Sequence, residues 1–198
     1  MKASKLALSS AEWQMAYSTE VILTKNRIIE EVYNLFGELS VAFQKQGEGL
    51  KDWKPELFAV HPKISRGENY EGMPWVMLDY PREYSKEHGH FAIRCFFWWG
   101  HFFSINLQLS GAYLQQLHPA LQQLQQQQWM VGCTNDPWNL QLPNEQWEAY
   151  DAALFHANAA TPLFGKAAKK IPVANWTQVH DFFEASFLEL MGALHASR

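Results

Sequence analysis

His88-Gly89-His90 is the most metal-like element of the chain. Two histidines at i and i+2 on an extended backbone point the same way and can share a cation. His101 and Asp79 are the side chains that a sheet could bring beside them. The spacing matches no HExxH helix, and Gly89 reads equally well as part of a solvated loop. Cys95 and Cys133 form no CxxC pair and no zinc pattern. Cys95 stands among apolar residues, which raise a thiol pKa. Cys133, just before Thr134-Asn-Asp136, is the better placed nucleophile of the two. Gly165-Lys166 has the ending of a P-loop. However, Ala160 replaces the first glycine and Ala167 the hydroxyl residue, so neither phosphate cradle nor magnesium ligand is encoded. No GxSxG elbow is present. Glu68 with Glu71, Asp79 with Glu83, and His180 with Glu184 are spaced like ordinary solvated pairs. No cofactor is expected from these motifs.

The remaining constellation lies in and after RCFFWWGHFF, residues 94–103, with six aromatic rings in ten positions. A membrane helix needs roughly 20 predominantly apolar residues. This run is shorter and holds Gly100 and His101. The residues after the turn set the period: Phe103, Ile105, Leu107 and Leu109 alternate with Ser104, Asn106 and Gln108, a strand with one apolar and one polar face. Residues 91–99 then form its antiparallel partner across a turn at Gly100. A two-residue turn would oppose Arg94 to Leu107 and mix the faces. A three-residue loop, Gly100 to Phe102, opposes Trp99 to Phe103, Phe97 to Ile105, Cys95 to Leu107 and Ile93 to Leu109. Each large apolar side chain on the wrong face forfeits roughly 1.5–3 kcal/mol, so the odd loop is predicted. The second face carries Arg94, Phe96, Trp98, Asn106 and Gln108. Aromatic rings with a few polar groups describe many ligand-site linings, and Arg94 can hold an anion or stack on a ring. The competing reading is packing, with Arg94 paired to a carboxylate beneath helices or another chain.

The elements around this hairpin are set by spacing. Ser9-Ser-Ala-Glu12 is a capping box opening helix near Ser10. Helical spacing continues through Ile22, Ile28, Ile29, Val32, Phe36, Leu39 and Phe43, with breaks expected at Gly37 or Thr24–Asn26 and a left-handed end at Gly47 to Gly49. A strand is expected at Lys63–Arg66, and another at residues 75–80, ended by Pro81 and succeeded by a polar connection over 82–90. Gly111 to Gln127 reads as a helix kinked or split at Pro119, and residues 129–133 as a strand. Residues 145–160 fit helix or strand, and 163–171 a strand. Asn175-Trp-Thr-Gln178 opens a last helix running to about His195. Helices, then strands with a hairpin, then helix, strand and helix predict one α+β domain over residues 1–198. It has a mainly antiparallel sheet, a central β-hairpin, and helices packed from the N-terminal, middle and C-terminal segments.

Composition narrows function by exclusion. The 198 residues are 47% hydrophobic and 18% charged, with net charge −4, nine Trp, thirteen Phe and seven Tyr. This is a globular balance with no basic stripe, so neither nucleic acid nor membrane is expected as a partner. The N-terminus lacks an apolar signal core, and two reduced, buried thiols suit a cytoplasmic protein. The expectation is a small-ligand-binding or protein-interaction module using the aromatic–polar sheet face, with a second copy of the chain as the partner expected in the interaction version. The alternative is a small enzyme, with or without a metal, whose site lies at strand ends around Asp79, His88, His90 and His101.

Overall fold

The computed structural model describes residues 7–141, 148–149 and 163–197. The chain is an α+β fold built on an antiparallel sheet of seven strands in the order β1-β2-β3-β4-β7-β5-β6. The strands are β1 (Lys63–Tyr70), β2 (Met73–Ser85), β3 (Gly89–Trp98), β4 (Phe102–Leu109), β5 (Met130–Thr134), β6 (Glu148–Ala149) and β7 (Phe164–Pro172). The aromatic hairpin β3–β4 is central, as its two-sided burial requires.

One face of the sheet carries the main core. Val76, Leu78, Cys95, Phe97, Phe103, Ile105, Leu107 and Ile171 are buried there. Three long helices cover them: α2 (Thr19–Gln46), α5 (Gly111–Gln126) and α6 (Val179–Ala196). α2 contributes Ile29, Val32, Phe36, Leu39 and Phe43, a stripe at alternating three- and four-residue steps. Its rings meet α6 directly: Phe43 stacks on Phe187 at 3.9 Å and Phe36 meets Phe183 edge-on at 5.6 Å.

The hairpin keeps the predicted faces but not the predicted pairing. Its three-residue loop is Trp99 to His101, so Phe97 opposes Phe103, Cys95 opposes Ile105, Ile93 opposes Leu107 and Arg94 opposes Asn106. This register differs from the expected one by two residues, and a two-residue slip leaves every side chain on its face. Alternation therefore cannot separate the two. The observed loop places Gly100, at φ +75°, in its middle, where the backbone needs the left-handed region.

Other expectations are corrected locally. The N-terminal helix breaks at Ser18, between α1 (Ser10–Tyr17) and α2, rather than at Gly37 or Thr24–Asn26. Ser18 caps α2 by accepting the Val21 N–H. The Ser9–Glu12 capping box forms as expected. Gly47 has φ −75° and is not left-handed. The Phe58 ring crowds against it, 2.6 Å from where a Cβ would stand, and the chain continues into the short turns α3 (Glu48–Lys51) and α4 (Pro55–Phe58). Pro81 does not end β2, because a register shift between Asp79 and Arg82 absorbs its missing N–H. The expected connection over 82–90 is therefore mostly strand. α5 runs unbroken across Pro119. α6 begins at Val179, after a 3₁₀ turn over Val173–Gln178. The ambiguous stretch 145–160 lies outside the described residues except for Glu148–Ala149, which pairs with β5. At the opposite edge, the β1–β2 register shifts between Gly67 and Tyr70.

Candidate functional site

The second face of the sheet carries an aromatic half and a polar half. Strand pairing builds both: Asp79, Arg94, Asn106 and Ala168 stand abreast on β2, β3, β4 and β7, and in the next row Ala92, Gln108 and Lys166 do so on β3, β4 and β7. All are buried, Arg94 to 4% exposure and Lys166 and Gln108 to 0%. Arg94 is the hub. Its Nε donates to Asp79 Oδ1 at 2.7 Å, and its Nη1 donates to Gln108 Oε1 at 3.2 Å and to the Pro137 carbonyl at 3.3 Å. Its guanidinium lies 4.7 Å from the centre of the Trp138 ring.

What lies over this half is a loop of the same chain. Residues 136–140 cross the polar row, and the sheet holds them by their carbonyls. Lys166 Nζ donates to the carbonyls of Asp136, Pro137 and Asn139 at 3.1, 3.2 and 2.7 Å. The loop is shaped from within by an Asx turn, in which the Trp138 N–H donates to Asp136 Oδ1 at 2.8 Å. From β1, the Tyr70 hydroxyl donates to the Trp138 carbonyl and accepts the Leu140 N–H. The aromatic half continues this arrangement. Met77, Phe96, Trp98 and Leu140 are buried together, and Tyr70 meets Phe96 edge-on at 5.2 Å. A cavity of about 210 Å³ opens between Tyr70, Trp75, Met77, Phe96, Trp138 and Leu140.

Several polar atoms in the polar half have no hydrogen-bond partner among the described residues: Asn106 Oδ1, Gln108 Nε2 and His90 Nε2. Such atoms are uncommon, because leaving one unsatisfied costs roughly 1–3 kcal/mol. Two cations, Arg94 and Lys166, stand here with two carboxylates, Asp79 and Asp136. Burial, reinforced by the charges of Arg94 and Lys166, holds His90 down to about 4, so it is neutral at pH 7. Burial likewise pushes Lys166 down to about 7, with Arg94 acting in the same direction and Asp136 against it. The three carbonyls around Nζ favour its ammonium form.

Arg94, Phe96, Trp98, Asn106 and Gln108 thus share one face, as read from the sequence. The histidines do not come together. Gly89, at φ +95°, breaks the extended alternation, so His88 lies against Tyr113 while His90 lies between Tyr84 and Phe164. His101 sits beyond the far end of β3, stacked on Trp98 at 3.7 Å. Asp79 is occupied by Arg94. Among the described residues no group of three or more His, Cys, Asp or Glu could hold a metal ion. Burial, with Asp79 adding to it, raises the Cys95 thiol well above its ordinary range, away from nucleophilic use. No helix among the described residues is long and apolar enough to cross a membrane.

Sequence reasoning missed Lys166, Trp138 and Tyr70. Lys166 carried a signal, since residues 164, 166, 168 and 170 share one face of a predicted strand and Lys166 falls between Phe164 and Ala168. Trp138 and Tyr70 carried none, because loop closure brings them in from 44 residues after and 24 before position 94. Searches against protein-family models, curated proteins and solved structures find no match to this chain.

Proposed function

We propose that the chain is a small-ligand-binding module whose site is the second face of the β3–β4 hairpin beneath residues 136–140. The observation that carries this reading is the pair of buried, unsatisfied amide atoms, Gln108 Nε2 and Asn106 Oδ1, on the rows of the sheet that carry Arg94 and Lys166. Gln108 Nε2 needs an acceptor and Asn106 Oδ1 needs a donor. With Arg94 and Lys166 alongside, the complementary ligand is a small organic acid carrying a hydroxyl or N–H group. The aromatic cavity beside Phe96 and Trp138 suits a planar or apolar tail. The 136–140 loop, held through backbone carbonyls, is the element that would part to admit it.

The test is thermal unfolding of the chain with benzoate, salicylate and mandelate at millimolar concentration, against the neutral amide of each. At 100 times its Kd, a ligand adds about 2.7 kcal/mol of stability. An acid is expected to raise the melting temperature where its amide does not, and Gln108→Leu is expected to abolish the shift. Equal effects of acids and amides, or no effect from any, would refute the reading.

A further inference from the structure

The core stripe of α2 continues past the point where the body of the protein ends. Ile29, Phe36 and Phe43 recur every seven residues and are buried. One heptad earlier stands Ile22, which is 56% exposed. Val21 and Leu23 beside it are also exposed, and α1 buries no residue at all. Trp13, Met15 and Tyr17 are 50%, 66% and 78% exposed, although Trp13 and Tyr17 stack on each other at 5.6 Å. α2 is first tied to the sheet by the ion pairs Lys25–Glu68 and Glu30–Arg66. Residues 7–24 are therefore an apolar arm.

With ~150–250 Å² for each aromatic side chain and somewhat less for each aliphatic one, the arm exposes about 700 Å² of apolar side chain. A monomer rarely leaves that much uncovered. The figure is close to the ~800 Å² that each partner contributes to a standard interface.

The charges on the arm select the partner. Glu20, Leu23 and Arg27 lie one turn apart on one face of α2, and neither Glu20 nor Arg27 has an ion-pair partner among the described residues. In a parallel pair of arms, Glu20 would meet Glu20 and Arg27 would meet Arg27. In an antiparallel pair with a two-fold axis at Leu23–Thr24, Glu20 meets Arg27 of the partner subunit, and symmetry makes the contact twice. Antiparallel pairing also carries the partner's α1 toward an apolar cavity of about 520 Å³ at the base of the arm, walled by Ile28, Phe97, Trp99, Val173 and Trp176.

We infer that this arm is a dimerisation element that pairs antiparallel with the arm of a second copy. The surface is separate from the ligand face and does not depend on that reading. Sedimentation velocity of the full chain between about 1 and 100 µM spans the Kd range of an interface of this size. A dimer is expected for the wild type and a monomer for Leu23→Glu, a position 66% exposed whose change leaves the core untouched. Glu20→Arg and Arg27→Glu are each expected to weaken dimerisation at least ~10-fold, and the double reversal to restore it to within ~3-fold. A monomeric wild type at the highest concentration would overturn the inference, as would a dimer indifferent to Leu23→Glu or a double reversal as weak as the single ones. A monomer that floats with phosphatidylglycerol vesicles through Trp13 and Tyr17 would also overturn it, by assigning the arm to lipid.

Discussion

Asp79→Asn probes the Arg94 hub most directly. The substitution keeps the shape of the side chain and one oxygen for Arg94 Nε, but removes the charge. The Asp79 and Arg94 side chains are only 10% and 5% exposed, so water cannot replace the lost carboxylate. Breaking a buried pair from one side costs about 3–5 kcal/mol, since it strands the other charge. The surviving hydrogen bond places Asp79→Asn near the bottom of that range, at about 3 kcal/mol. Arg94→Met lies higher, because it strands Asp79 and also releases Gln108 Oε1, the Pro137 carbonyl and the face of Trp138. The double change Asp79→Leu with Arg94→Met leaves no stranded charge and is expected to cost less than Arg94→Met alone. Urea unfolding monitored by tryptophan fluorescence measures all three. With a slope of roughly 2–3 kcal/mol/M, a loss of about 3 kcal/mol moves the midpoint by about 1 M. A loss under ~1 kcal/mol for Asp79→Asn would show that the pair is hydrated, and a double mutant that loses more than Arg94→Met alone would show that Asp79 is not stranded when Arg94 is removed.

The same geometry yields three further expected outcomes. His90 is held to about 4 in the folded chain against 6.5 in the unfolded one, so the unfolded state takes up the proton first as pH falls. The His90 contribution is constant above about 6.5 and declines by up to ~3 kcal/mol toward pH 4, and His90→Phe flattens that decline in urea titrations across the window. Gly89→Ala is expected to cost several times more than Gly72→Ala. Both have positive φ, but a Cβ on Gly89 meets the Ser110 carbonyl and the Gly111 Cα, whereas one on Gly72 meets open space; equal melting temperatures would refute this. Lys166→Met removes the donor to three loop carbonyls and is expected to speed amide exchange at Trp138 and Asn139 by at least ~10-fold, with core strand amides unaffected.

The fold class and the partition of the hairpin into two faces were legible because period-two alternation in residues 103–109 is unambiguous. Pairing was not, since registers two residues apart bury the same side chains. Proline misled in both directions. A register shift absorbed Pro81 within β2, and packing of Leu117 and Leu121 on either side carried α5 through Pro119. The candidate site was half legible. Arg94, Phe96, Trp98, Asn106 and Gln108 lie on two adjacent strands, where local spacing determines the face. The roof comes from a distant loop whose only local mark is the Asp136-Pro137 turn signal. The histidine cluster failed because one glycine with positive φ turned two neighbouring rings apart.

The register shift between Gly67 and Tyr70 in β1 bears on how copies of this chain can meet. An outer strand offers unpaired backbone groups to any other strand, and sheets that extend this way grow without limit. Here the shift, with Lys63, Arg66 and Glu68 along the same strand, interrupts that row of donors and acceptors. Growth by strand addition is thus discouraged at this edge, while a two-fold contact through a helical arm closes after two copies. The same molecule carries an irregular edge that resists open-ended stacking and an apolar arm that favours a finite assembly.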